Sequence, residues 1–183
     1  MNVREWLNNN SAVVTIVAVL VLCFALAFII WNNSPASYGP IDIYYVDLNT
    51  GELFTAKNTD YPPIAAPSDN EGEQNGVRIH MYACGDCPSG LTGRSLDTLE
   101  SDGVHVAYLE RYTPEAQQAL QRDMTESSPD DEMRYYEMIE TGQLVRGPDR
   151  SDWVSVNSEP GYRLMSRFGE RCSSGESPDI CRP

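Results

Sequence analysis

Residues 12 to 31 read AVVTIVAVLVLCFALAFIIW, twenty positions without a charge and with Thr15 as the one hydroxyl. A helix of that length rises about 30 Å, the thickness of a bilayer's hydrocarbon core. A helix packed on a soluble core shows a polar stripe, and this stretch has none. Trp6 and Trp31 flank it, as indoles do at the headgroup level. The expectation is a transmembrane helix running from Ala12 to Trp31.

A cleaved signal has a shorter apolar region of about 7–15 residues and a basic start. Here the start carries Arg4 and the terminal amine, and Ser34-Pro35-Ala36 offers a small-x-small site for cleavage after Ala36. The length favours a retained signal anchor. Arg4 lies before the span, and no Lys or Arg follows it until Lys57. By the positive-inside rule residues 1–11 are then a short cytoplasmic terminus, and the rest faces outward. Residues 32–40, NNSPASYGP, read as a stalk.

Residues 41–183 are expected to form one acidic extracytoplasmic α+β domain with a small, mainly antiparallel sheet and two or three short helices. Past the span the chain carries 12 Lys and Arg against 26 Asp and Glu, so the whole net charge of −14 belongs to it. Such a surface repels phosphate backbones, which argues against nucleic acid as a partner. It also repels anionic lipid headgroups and tolerates cations or basic partners; the anchor, rather than the charge, points to the membrane and to other envelope or membrane proteins as partners.

Strand patterns are clear. IDIYYVDLNTGELFTA, from Ile41 to Ala56, places β-branched and aromatic residues around Asn49-Thr50-Gly51 and reads as a hairpin. Val77 to Cys84 and Val104 to Tyr112 alternate as further strands. The Pro-, Gly- and acid-rich stretch 61–76 reads as a surface loop. Thr113-Pro114-Glu115 is a helix start, with Ala116, Ala119, Leu120 and Met124 inward. Ser128-Pro129 starts a second helix, with Met133, Tyr136 and Ile139 inward and Gly142 as its stop. Ser158-Glu159-Pro160 opens a third. QLVRGP and DWVSVN are short strand candidates. The pairs Tyr44-Tyr45 and Tyr135-Tyr136 place one ring on each side of their element, so one of each is expected inside and its neighbour exposed.

Chemistry concentrates at the cysteines. Cys23 lies in the apolar run; the other four are Cys84, Cys87, Cys172 and Cys181. An even number outside the cytoplasm points first to disulfides. Three connectivities are open, one made of two local loops and two that tie the Cys84 loop to the C-terminal tail. The alternative is a thiol–disulfide or zinc-handling protein built on Cys84-x-x-Cys87. A redox pair wants a helix start after the first cysteine, and PSGLTG is a loop. A zinc site would need all four sulfurs, with His105 as the further ligand candidate. No cofactor is otherwise implied. The sequence holds two histidines and no His-Glu-x-x-His, phosphate loop or calcium loop. The reading leans away from an enzyme and toward a membrane-anchored interaction or accessory module.

Overall fold

The structure is a computed structural model that describes residues 11–33, 39–121, 129–173 and 175–183. It divides into two units, residues 1–39 and 40–183.

In the first unit one helix, α1, runs from Ser11 to Asn33. Its described side chains, those of residues 15–26 and 28, are all exposed and apolar apart from Thr15. Among the described residues no helix is long and apolar enough to cross a membrane. The expected span from Ala12 to Trp31 is found as a helix, and the crossing itself is not shown.

The second unit is α+β. Seven strands form one antiparallel sheet: β1 (Asp42–Asp47), β2 (Leu53–Lys57), β3 (Gly76–Cys84), β4 (Val104–Tyr112), β5 (Gln143–Arg146), β6 (Val154–Ser155) and β7 (Pro178–Ile180). Their order is β2-β1-β3-β4-β5-β6, with β7 added beside β3. The helices are α2 (Leu96–Leu99), α3 (Pro114–Leu120), α4 (Pro129–Gly142) and α5 (Glu159–Met165).

The hairpin forms where the sequence places it. The turn after Asp47 needs a left-handed residue, and Gly51 takes φ 75° there. Asp47 is buried, and its carboxylate accepts from the backbone N–H groups of Asn49 and Ser68. Thr113 caps α3 by accepting from Ala116 N, with Pro114 at the first helical position. Ser158 caps α5 the same way, through Gly161 N. The Ser128 cap and Met124 lie outside the described residues.

Side chains alternate across the sheet, and both faces are covered. On the first face Val46, Val77, Ile79, Met81 and Leu109 pack under Leu91 and Leu99 from the loop between β3 and β4. On the second, Tyr108 and Val145 pack against Val156 and Leu164 around α5. The expectation for Tyr44-Tyr45 is corrected, since they are 3% and 0% exposed and both are core: Tyr44 joins the first-face cluster, and Tyr45 packs on Phe54 with its hydroxyl donating to the Lys57 and Asp60 carbonyls. Met133 and Tyr136, expected inward, are instead exposed. The part of α4 that packs closely is its end, where Gly142 abuts Ala116 and Thr113 of the α3 start. The short elements β7 and α2 were not legible as strand and helix. Each is held by partners distant in sequence, β7 by β3 and α2 by the β2 turn through Leu96 N and Gly51 O.

Candidate functional site

The four cysteines come together in two pairs, Cys84–Cys172 and Cys87–Cys181, with Cα separations of 5.3 and 5.4 Å. Cys84 shares the strand parity of Tyr82, whose ring meets Phe168 at 4.9 Å on the second face. Cys87 and Cys181 instead join the core of the first face. The interleaved bridges thus pin the C-terminal tail on both sides of the end of β3, and β7 lies between them. Cys84 and Cys87 are bonded to the tail rather than to each other, which is not the arrangement of a redox Cys-x-x-Cys pair. The sulfurs that a zinc site would need are joined in pairs. Among the described residues no group of three or more His, Cys, Asp and Glu is placed to hold a metal ion. His105 pairs with Tyr82 across β3 and β4, and its Nδ1 is buried without a hydrogen-bond partner. Two such bridges fit a cysteine-stabilised module of an oxidising, extracytoplasmic compartment.

Holding β7 beside β3 creates a notch. β1 pairs with β3 from Asp47↔Gly76 only as far as Tyr45↔Arg78, and β7 takes over at Tyr82↔Ile180. Between them β3 has one bond on that side, Cys181 N donating to Met81 O. A groove of about 430 Å³ opens there, lined chiefly by Ile41, Ile43, Tyr44, Met81, Phe168 and Ile180. That volume is in the range of ligand and peptide-side-chain pockets. Ile41 and Ile180 are 47% and 51% exposed.

A polar cluster forms part of the wall. Glu110 of β4 is buried, with Oε2 2.5 Å from His80 Nε2, and Oε1 accepting from Gln143 Nε2 at 3.1 Å and from Arg78 at 3.4 Å. Burial pushes the Glu110 carboxyl up, but the His80 hydrogen bond and the Arg78 charge outweigh it and hold the group below the usual carboxylate value. An ionised carboxylate only accepts, so His80 carries its proton on Nε2. The imidazole lies flat on Tyr108, centroids 4.3 Å apart. Nearby Tyr112 is pushed up to about 12, by burial first and then by the Glu110 charge.

A carboxylate-held imidazole is half of a nucleophilic triad. The groove lining, however, includes no serine, threonine or free thiol among the described residues. What the arrangement offers is an apolar slot with fixed cationic and imidazole handles, a recognition surface. Sequence reading did not find Glu110, Arg78 or Gln143. The available signal was an acid inside the alternating strand VHVAYLERY, at the parity of Tyr108 and Tyr112. No protein-family model, curated protein or solved structure matches the chain.

Proposed function

We propose that the chain is a membrane-anchored, extracytoplasmic interaction or accessory module. On this reading α1 is a retained anchor with residues 1–11 in the cytoplasm, and the disulfide-stapled domain presents its groove to another envelope or membrane protein. The anchor is supported by the uncharged run from Ala12 to Trp31 and by the helical course of Ser11–Asn33. An apolar helix whose described side chains are all exposed needs an apolar surround. The positive-inside asymmetry around Arg4 supports the orientation.

The groove between β1 and β7 is the observation that carries the interaction reading. Long apolar side chains at a sheet edge, with polar handles in the wall, suit a short extended segment of a partner. The partner class is other proteins rather than nucleic acid, in line with the charge of −14.

Photo-crosslinking in the cells that make the protein tests this. A photoreactive residue at Ile180 or Ile41 is expected to give a discrete protein adduct that the same group at exposed Glu73 does not give. Protease added outside intact cells or spheroplasts is expected to digest the domain. The same weak ladder from all three positions, or a domain sheltered on the cytoplasmic side, would remove the reading.

A further inference from the structure

Two arginines of this acid-rich domain share one indole and have no counter-ion among the described residues. In the sheet Leu109 is opposite Arg146 and Leu144 is opposite Arg111, so the arginines are diagonal neighbours on the first face of β4 and β5. Their guanidinium carbons lie 4.4 Å (Arg111) and 5.0 Å (Arg146) from the Trp153 ring centroid. The two cations are therefore within about 9 Å of each other, inside a Debye length at low salt.

All three side chains are half-buried. Both Nε–H groups are buried without an acceptor, and neither arginine makes an ion pair among the described residues. Arg78 shows what this chain ordinarily does with a half-buried guanidinium, which is to set a carboxylate against it. One arginine stacked on Trp153 would be a normal cation–π contact. A second on the same ring adds like-charge repulsion, and burial together with the charge of Arg146 depresses the Arg111 guanidinium. A carboxylate bridging the two guanidiniums would offset that repulsion.

We propose that Arg111, Trp153 and Arg146 form a carboxylate-binding site at which the domain docks an acidic segment of a protein partner. The occupant follows from charge. The domain's net −14 sets long-range repulsion against extended polyanions such as anionic membranes and nucleic acids. A short segment bearing one or two carboxylates meets the guanidiniums at hydrogen-bond range, where the local pair outweighs the distant field. Trp and Arg are also the side chains on which protein interfaces most often depend. Half-buried Leu144 extends the patch for an apolar neighbour in that segment. The site rests on the reading of the domain as an interaction module, but it lies on β4–β5 and shares no residue with the groove.

The test uses the full chain in neutral detergent micelles and three probes: a fluorescein-labelled, end-blocked serine-rich hexapeptide carrying two glutamates, inorganic phosphate and dihexanoylphosphatidylserine. The two-glutamate peptide is expected to bind saturably by anisotropy, with a change in Trp153 emission that is absent from Trp153→Phe. Arg111→Gln and Arg146→Gln are each expected to weaken binding about tenfold. Arg111→Lys and Arg146→Lys, which keep charge and most packing, should bind at intermediate strength and serve if a Gln variant fails to fold. Ile180→Asp in the groove should leave this binding unchanged, so a failed groove reading and a failed arginine site are told apart. Absence of saturable binding, equal binding by the arginine variants, or preference for phosphate or the lipid would overturn the proposal.

Discussion

Glu110 is opposite Arg78 in the β3–β4 register, yet its shorter contact is with the diagonal neighbour His80, at 2.5 Å against 3.4 Å. The ladder shifts register between His80 and Met81. Before that shift the pairing is regular from Arg78 to His80, which places Tyr108 against His80 and keeps Glu110 on the same face. One buried acid thereby organises the wall of the groove.

Because the Glu110 carboxyl is held below its ordinary value of 4.5, its stabilisation is complete above that value and is lost as pH falls through the lower folded-state value. Glu110→Gln should cost about 3 kcal/mol at pH 7, since Arg78 loses its buried partner. The gap between wild type and variant should then narrow as the pH falls below 4.5. Urea midpoints across that range check it, and a gap independent of pH would contradict the assignment.

The two bridges should be strongly non-additive. Either one alone closes a loop of 88 or 94 residues, a loop-closure contribution of about 4–5 kcal/mol. With one in place, the other closes only about a dozen residues, because Cys84 lies near Cys87 and Cys172 near Cys181 in the sequence, and adds about 3 kcal/mol. Breaking a single bridge (Cys84→Ala with Cys172→Ala, or Cys87→Ala with Cys181→Ala) should therefore cost about 3 kcal/mol. Breaking both should cost about 7 kcal/mol, more than the sum of the two. Equilibrium denaturation of the three variants decides, and simple additivity would rule the loop argument out.

Gly161 follows the Ser158 cap, where an added Cβ would overlap the Ser155 carbonyl oxygen and crowd Val156. Gly161→Ala is expected to cost about 2 kcal/mol, while Gly39→Ala, which meets nothing within 4 Å, should be nearly neutral. Thermal melts of the pair measure the difference. Equal melting temperatures would mean that the turn before α5 gives way freely.

If α1 is an anchor, a charge at its middle should be costly. Val19→Arg is expected to add about 3 kcal/mol to insertion and to move a measurable fraction of the chain out of the carbonate-resistant membrane pellet. An unchanged pellet fraction, or a wild-type chain released by carbonate, would count against the anchor.

Local signals made much of the fold legible. Asn49-Thr50-Gly51, Thr113-Pro114 and Ser158-Glu159-Pro160 each state a turn or a cap within four residues, and β1 to β4, α3 and α5 form accordingly. The third strand ends at Cys84 and the fourth runs from Val104 to Tyr112, as the alternation implied. What stayed hidden depends on tertiary placement. β7 is three residues with no apolar period, and it is a strand because Cys181 is bonded to Cys87 and its N–H meets Met81 O. Tyr44 and Tyr45 alternate like a half-exposed strand, but Tyr45 is covered by Phe54 and by the turn after β2, where the Lys57 and Asp60 carbonyls accept from its hydroxyl. The Glu110 cluster needs the β3–β4 register, and the Arg111–Trp153–Arg146 stack needs three strands in order. The cysteine count announced bridges, but four positions cannot say which partner is whose.

The interleaved pairing also sets an order of events during synthesis. Cys84 and Cys87 emerge together, and at about 5–20 residues per second their partners follow only several seconds later. During that wait each thiol's only extracytoplasmic companion on its own chain is the other, so the first bond an oxidant can make is a Cys84–Cys87 link that the finished protein does not contain. Maturation must then either delay oxidation until Cys181 arrives or undo that link by thiol exchange. The yield of correctly joined chains is thereby tied to the isomerase capacity of the compartment, whatever the stability of the end product.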